Sequence, residues 1–376
     1  MEWNWELADW PEFSWKAERL QRAEQLFLVE SGVFNGVIKH LDPADREQIT
    51  VEAISTEAVT TSEIEGGVLD RASVQLSVRR ELGLAADARR SGPKERGVAE
   101  MMVDLHRSFA EPLSDDGLFR WHRMLLPDLP EAGQYRTSTE PMQVVSGPVH
   151  ARKVHFEAPP SARVPREMRR FLAWFNGSAA GLGALTRAGI AHLYFESIHP
   201  FEDGNGRLGR AVSEKALAQA LGRPTLIALP ATILVRRKAY YEALARASRS
   251  NEVTEWLAWF ASAAIEAQRR TTARIEFLIE KTRLLDRLRG QLNARQEKAL
   301  LRMLREGPEG FQGGLSAGKY ATITGASPAT TTRDLADLVE KGALRRTGER
   351  RHARYFAEVP VGEAGAVTIG ADGAVG

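Results

Sequence analysis

The chain has 376 residues, which is enough for about two or three domains and a sizeable core. Hydrophobic residues make up 43%, charged residues 27%, and the formal net charge is +2, which excludes a polycation that binds nucleic acid along its whole surface. The absence of cysteine excludes disulfides and thiolate metal sites. The N-terminus lacks a signal-peptide pattern and no apolar run reaches the length of a bilayer, so we expect a cytoplasmic protein without membrane contact.

Residues 1–60 are predicted to form a small helical domain with a tryptophan-rich start, namely Trp3, Trp5, Trp10 and Trp15. We expect these indoles to pack as a structural cap on the helices that follow, because each buries a large apolar area. Asp42 and Pro43 indicate the N-cap and first turn of a further helix. That helix ends near Gly66 and Gly67, and paired glycines after a helix are ordinary C-cap chemistry.

The following region is predicted to be helical up to about residue 136, where the pattern changes. Two short β-like runs, residues 143–149 and 153–156, surround a turn and predict a surface hairpin. Helical patterns resume at residue 168 and continue through the apolar run 190–195. The chain is therefore predicted to be mainly α-helical, with one hairpin between helices.

Twelve residues, His199-Pro-Phe-Glu-Asp-Gly-Asn-Gly-Arg-Leu-Gly-Arg210, follow this apolar run and lead into another helix. Gly204 and Gly206 lack a Cβ, so the backbone can turn tightly and bring its N–H groups close to a ligand. Those N–H groups lie at the start of the next helix, and a helix N-terminus favours an anion. This segment is therefore predicted to bind an anionic ligand.

The polar side chains of the same segment are those that phosphoryl or nucleotidyl transfer requires. His199 is a base usable near neutral pH, and Asp203 offers a hard oxygen ligand to Mg²⁺. Arg207 and Arg210 share one face of the helix and can hold phosphates in a forked geometry. Each element alone is usually structural, but their combination in twelve consecutive residues predicts a transfer site.

The segment closely resembles the signature of the Fic family, HPFx(D/E)GNGRxxR, and every signature position is matched. The resemblance implies a mainly α-helical Fic domain, residues 61–265, that transfers AMP from ATP to a Ser, Thr or Tyr hydroxyl of a target protein. It implies His199 as the base and Asp203 as the ligand of Mg²⁺, which would bridge the α- and β-phosphates. The backbone of residues 204–206 and the Asn205 side chain would hold the anion.

The resemblance also implies which other residues contact ATP. Arg207 and Arg210 would hold the β- and γ-phosphates, which leave as pyrophosphate. Tyr241 and Leu244 would line the adenine pocket. The full set of implied ATP-binding residues is Glu202, Asp203, Gly204, Asn205, Gly206, Arg207, Leu208, Gly209, Arg210, Tyr241 and Leu244.

The helix that ends near Gly66 acquires a further interpretation from the resemblance. Many Fic proteins carry an inhibitory (S/T)xxxE(G/N) helix, and Thr61, Glu65 and Gly66 fit that motif. Its glutamate is expected to pair with Arg210 and to keep the γ-phosphate of ATP from its productive place. Because this motif precedes the signature on the same chain, the inhibition would be intramolecular.

The predicted hairpin, about residues 143–156, is similar in position to the Fic flap, which pairs as a strand edge with the target segment that carries the acceptor hydroxyl. Two alternative functions stay open. The same site could remove AMP from a protein, with Glu65 orienting water, or the chain could be a DNA-binding regulator that senses nucleotide. The intact His199 disfavours the sensor, because a protein that only binds nucleotide needs no base.

The C-terminal part is predicted to contain three regions. Residues 266–291 are predicted to form a solvated linker helix, and residues 292–359 resemble a winged helix-turn-helix whose third helix can enter a major groove. The Gly- and Ala-rich residues 360–376 are predicted to be disordered.

The winged module is predicted to contact either DNA or proteins, and a homodimer is compatible with the sequence, which does not define the oligomeric state. Its clustered arginines favour DNA phosphates. They are Arg333, Arg345, Arg346, Arg350, Arg351 and Arg354.

Overall fold

The computed structural model describes residues 2–85, 91–146, 153–307, 310–311, 313–360, 362 and 365–376. The chain divides into two compact units, Met1–Gln268 with Gly365–Gly376, and Arg269–Ala364. As predicted, the described residues are mainly α-helical, with one small two-stranded antiparallel sheet in each unit. Within those residues, we find no helix with both the length and the apolar composition to cross a membrane.

The helices and strands of the first unit are α1 (Ala17–Lys39), α2 (Pro43–Ile64), α3 (Arg71–Glu81), α4 (Pro93–Ser108), α5 (Asp115–Leu125), β1 (Gln143–Ser146), β2 (Lys153–Glu157), α6 (Val164–Gly177), α7 (Ala184–Ile198), α8 (Asn205–Leu221), α9 (Leu229–Val235) and α10 (Arg237–Ala247). A long helix, α11 (Thr254–Arg287), begins in this unit and ends in the other. The second unit continues with α12 (Ala294–Leu304), α13 (Ala317–Thr324), α14 (Pro328–Glu340), β3 (Leu344–Thr347) and β4 (Arg354–Ala357).

Helix α7 is the central element of the first unit. All of its residues except Glu196 are buried, as is typical of a helix that is surrounded by other helices and lacks a solvent face. Helix α8 packs along α7, and the segment between them carries the signature. The most buried helix of the unit therefore ends at the candidate site, which gives that site a rigid support.

The tryptophan-rich start packs on the first unit as predicted. Trp3, Trp5 and Trp10 are buried and belong to the main hydrophobic core. Helix α2 runs through residue 60 without interruption, and the first 60 residues belong to the same compact unit as the signature. The N-terminal region is thus packed into that unit, without a structural break at the predicted boundary.

Residues 266–291 were predicted to form a linker helix that is exposed to solvent. The prediction of a helix agrees with the structure up to Arg287, but the predicted exposure is wrong. The helix ends at Arg287, and Phe277, Leu284 and Leu288 are buried in the core of the second unit. The charged residues of this segment suggested exposure on all sides, but its apolar residues recur at helical spacing and form one packed face.

The second unit has the predicted order of three helices followed by a hairpin. Asn293, Ser316 and Ser327 each accept a backbone N–H at the start of a helix, as N-cap residues do. Strand β3 pairs antiparallel with β4, with Leu344 opposite Ala357. Its assignment as a winged helix-turn-helix stays a prediction.

The prediction of a disordered tail at 360–376 is also corrected for residues 365–376, which pack on the first unit. Val367 is fully buried, and Ile369 forms a bridge with Val375 across a turn at Gly373. Arg19 of α1 donates from Nε to the Gly370 carbonyl at 3.1 Å. Composition alone suggested disorder, but a few apolar residues around one turn are ordered when a helix surface is available to them.

Candidate active site

A buried arginine holds the loop that joins α7 to α8. Arg136 donates from Nε to the His199 carbonyl at 2.8 Å, and its backbone N–H donates to the Pro200 carbonyl at 2.9 Å. Its guanidinium also donates to the Pro159 carbonyl. His199 has a φ of 50°, a left-handed conformation that a residue other than glycine adopts only where its surroundings hold it. Arg136 lies where the predicted helical region ends, and its sequence neighbours carry no signal for this contact with His199.

The Asn205 side chain braces the same loop from within. Its Oδ1 accepts the Phe201 N–H at 2.9 Å, and its Nδ2 donates to the Phe201 carbonyl at 2.8 Å. Both ends of this amide thus bind the loop backbone, and the prediction that the Asn205 side chain also holds the anion stays a prediction. Gly204, with a φ of 84°, is the N-cap residue of α8. The backbone N–H groups that begin α8 are therefore the groups of this loop that are suited to an anion.

Burial sets the protonation state of the predicted base. Desolvation lowers the pKa of His199 to about 4, and Arg136 acts in the same direction while nearby acidic groups oppose it. The imidazole is consequently neutral at pH 7 and able to accept a proton.

Glu196, which the sequence analysis did not single out, lies beside this base. Its Oε2 is 3.7 Å from His199 Nδ1. Burial, assisted by Glu65, raises the pKa of Glu196 to about 8, so this carboxyl group is mostly protonated at pH 7. The sequence feature that could have pointed to Glu196 is its position. It is the one acidic residue of the apolar helix α7, and it lies three residues before His199.

A cavity of about 560 Å³ opens beside His199, a volume suited to a nucleotide. One side is formed by the hairpin residues Val144, Val145, His155 and Phe156, and another by Tyr241, Leu244, Ala245 and Ser248 of α10 and its end. Tyr241 and Leu244, the predicted adenine contacts, thus both line the cavity. Residues 147–152 of the predicted flap lie outside the described residues.

Two exposed carboxylates, Glu202 and Asp203, stand at the edge of this cavity. Asp203 is 65% exposed in its side chain and lies 3.4 Å from an Arg207 guanidinium nitrogen. The described residues contain no group of three or more His, Cys, Asp or Glu side chains that could hold a metal ion. The donor set therefore fits Mg²⁺ bound by one carboxylate together with phosphate oxygens, and it does not fit an all-protein metal cage.

Four residues of the predicted ATP set, Arg207, Leu208, Gly209 and Arg210, are not among those that line the cavity, and two of them pack inside the fold. Leu208 is fully buried in the hydrophobic core. Gly209 faces the Glu196 carboxyl group, whose Oε1 would be 2.5 Å from a Cβ at this position. Both predictions are corrected, because these residues lie on the sides of α8 that pack against α7 and the core. In contrast, Gly204 and Gly206 line the cavity as predicted.

The predicted inhibitory motif contacts the signature arginine. Arg210, only 3% exposed, donates from Nε to Thr61 Oγ1 at 2.8 Å and from a second nitrogen to the Thr61 carbonyl at 2.9 Å. Its remaining nitrogen is 2.8 Å from Glu65 Oε1. Gly66, with a φ of 81°, follows Glu65 where α2 ends. All three potential donor nitrogens of Arg210 thus face α2 residues, and Glu65 also lines the cavity.

Gly206 leaves the space that Glu65 occupies. A Cβ on Gly206 would be 2.3 Å from Glu65 Oε1, closer than two such atoms can approach. The first turn of α8 therefore accepts the Glu65 carboxylate because residue 206 has no side chain. The same lack of a side chain would let a phosphate approach this backbone once Glu65 had moved away.

Comparison with known proteins agrees with this geometry. Residues 112–217 match the family model described as Fic/DOC family, and residues 3–84 match a domain of unknown function, DUF4172. The fold is similar to that of a Fic family protein from Desulfovibrio desulfuricans, with a TM-score of 0.51 and 21% identity, covering 89% of this chain and 95% of that one. A Fic domain containing signaling protein from Bacteroides thetaiotaomicron has a TM-score of 0.50 and 17% identity, covering 67% and 96%.

The fold and the site together define a mainly α-helical domain in which a buried helix ends at a histidine and a second helix begins at a Gly-Asn-Gly turn. The chain contains a Fic domain, which the family model matches over residues 112–217. A probable protein adenylyltransferase of Aquifex aeolicus is 36% identical to it over 64 residues, which are 17% of this chain. That match spans only about 20% of the relative's own length.

Proposed function

We propose that this protein transfers AMP from ATP to a hydroxyl group of a target protein. The observation that carries the proposal is the juxtaposition, around one cavity of about 560 Å³, of the His199 imidazole and the N-terminus of α8. A neutral base beside an anion-binding helix end is the arrangement that nucleotidyl transfer requires. The name of the Aquifex aeolicus relative supports the same class of reaction.

In the proposed reaction, the target hydroxyl oxygen attacks the α-phosphorus of ATP. His199 accepts the hydroxyl proton, the new bond from oxygen to the α-phosphorus forms, and the bond between the α-phosphorus and the bridging oxygen breaks. Pyrophosphate leaves with that oxygen. The backbone N–H groups at the start of α8 would hold the phosphates throughout, while Tyr241 and Leu244 would contact the adenine.

Transfer of a nucleotide should be distinguished first from other uses of ATP. Incubation of the protein and a cell lysate with ATP labelled at the α-phosphate should label target proteins, whereas ATP labelled at the γ-phosphate should not. Label from the γ-phosphate would indicate phosphorylation, and no label from either would contradict the proposal. Release of AMP from a labelled target after ATP is removed would instead favour the reverse reaction.

Mg²⁺, held by Asp203 and phosphate oxygens, would neutralise charge on the leaving pyrophosphate. We therefore expect Asp203→Ala to lose most of the Mg²⁺-dependent transfer, because the exposed Asp203 carboxylate is the ligand that the signature provides. The rate should be measured against Mg²⁺ concentration. Asp116→Ala is the control, since Asp116 is an exposed carboxylate of α5 outside the predicted ATP set. If the Asp203→Ala titration overlays that of the wild type, Asp203 is not the ligand.

We also propose that the second unit binds duplex DNA. Arg333 on α14 and Arg345 and Arg346 on β3 are exposed, as a phosphate-binding surface requires. Contact with a protein is the alternative. Arg351 is also a predicted contact, but its side chain lies outside the part of the chain that the structure describes.

The affinity of the full-length protein for duplex DNA should fall steeply as salt rises, because each neutralised phosphate releases counterions. Arg333→Ala and Arg346→Ala should each weaken binding and reduce the slope of log affinity against log salt by about 1. The control is Arg289→Ala, which removes an exposed arginine paired with Asp286 in the same unit. Absence of binding at low salt would favour the protein contact.

A further inference from the structure

The first residues of the chain contact the base of the hairpin. Trp5 donates its indole Nε1–H to the carbonyl of Glu157, the last residue of β2, at 2.7 Å. The Trp3 ring meets the Phe156 ring edge-on, with the ring centroids 5.2 Å apart. All three aromatic side chains are buried. Strand β2 of the hairpin is thus attached to the N-terminal segment by one hydrogen bond and one aromatic contact.

The residue between these two tryptophans contacts the other walls of the cavity. Asn4, which is fully buried, donates from Nδ2 to Ser197 Oγ at 2.8 Å, two residues before His199. Its backbone N–H donates to the Ser248 carbonyl at 2.8 Å, just after α10. Ser197 and Ser248 both line the cavity. Residues 3–5 therefore connect the hairpin, the end of α7 and the end of α10.

This connection leads directly to the predicted base. The Phe156 ring that Trp3 supports has its centroid 6.4 Å from that of the His199 imidazole. Among the described hairpin residues, Val144, Val145 and Val154 are each more than a third exposed, and Arg136 holds the chain just after β2 through the Pro159 carbonyl. A two-stranded hairpin is marginally stable without packing against other elements. Its distance from His199 consequently depends on what holds the base of β2.

We propose that residues 3–5, the positioning strap, set the distance between the hairpin and His199, and so align the target hydroxyl with the base. The proposal rests on the proposed function and on the expectation that a target segment pairs with the hairpin. A displacement of about 1 Å between reacting groups can cost 10²-fold in rate, so a fixed hairpin matters for transfer. The strap would give a role to the first residues of the segment that matches a domain of unknown function.

Trp5→Phe tests the strap, because it keeps an aromatic ring and removes the N–H donor to Glu157. Trp10→Phe is the matched control: Trp10 is equally buried and its indole donates to Glu167 Oε2 at 3.0 Å on α6, away from the cavity. Hydrogen exchange of the β1 and β2 amides should be about tenfold faster in Trp5→Phe than in Trp10→Phe or the wild type. The Kd for ATP should be unchanged in both variants.

The kinetic readout uses the acceptor protein identified with α-labelled ATP. Trp5→Phe should lower kcat/KM for that acceptor about tenfold or more, with the KM for ATP unchanged, and Trp10→Phe should not. Equal hairpin exchange in the two variants would overturn the strap. A wild type that labels nothing would contradict the proposed function, while the exchange measurement would still decide the strap. Trp3→Leu, which removes the contact with Phe156, replaces Trp5→Phe if that variant does not fold.

Discussion

Replacing His199 by alanine should lower the rate of AMP transfer by about 10²–10⁴-fold, the contribution typical of a positioned general base. The fold should persist, since His199 lies in the loop after α7 and its backbone carbonyl, not its side chain, binds Arg136. Transfer should be measured with α-labelled ATP, and ATP binding by titration of the same purified protein. Retained ATP binding with lost transfer would separate an enzyme from a nucleotide sensor.

His155→Ala provides the matched control for the His199 variant. His155 also lines the cavity, from strand β2, so its removal takes away an imidazole without removing the proposed base. Transfer by His155→Ala should stay well above that of His199→Ala. Labelling at the wild-type rate by His199→Ala would show that His199 is not the base.

Replacing Glu65 by glycine should raise both self-labelling and target labelling by about ten- to several-hundred-fold. The Glu65 carboxylate lies 2.8 Å from the Arg210 guanidinium and would compete with a phosphate for the same donor. This competition would raise the activation free energy of transfer by a few kcal/mol at most. Each ~1.4 kcal/mol corresponds to a factor of ten in rate, which gives the expected increase. Initial rates with α-labelled ATP would measure the effect.

Further variants separate competition for Arg210 from a change at the end of α2. Glu65→Asp should give an intermediate rate, because the shorter side chain reaches Arg210 poorly. Glu65→Gly combined with Arg210→Ala should lose the gain, since the freed arginine is what the single change exposes. Glu63→Gly makes the same substitution two residues earlier, at an exposed position of α2, and should leave the rate near wild type. If Glu65→Gly labels no faster than wild type, Glu65 does not inhibit.

The amino-acid sequence by itself determined the local features of this protein. The Gly-Asn-Gly turn predicted where α8 begins, since glycine is the residue that most readily adopts the left-handed φ of Gly204. Asn293, Ser316 and Ser327 cap the starts of the helices in the second unit, and such caps can be encoded locally because they act within three residues. The prediction that Glu65 lies beside Arg210 came from the family resemblance and not from the spacing of these residues in the sequence.

Only the tertiary structure decided which residues surround the site and which of its side chains are already engaged in contacts within the protein. Arg136 supports a histidine 63 residues away, and Trp5 binds a carbonyl 152 residues away. No local pattern encodes such pairs, since they depend on how helices pack. The same packing places the Asn205 amide on the loop backbone, buries Leu208 and orders residues 365–376. A short motif names chemically suitable residues, whereas their contacts are set by the elements that the fold brings against them.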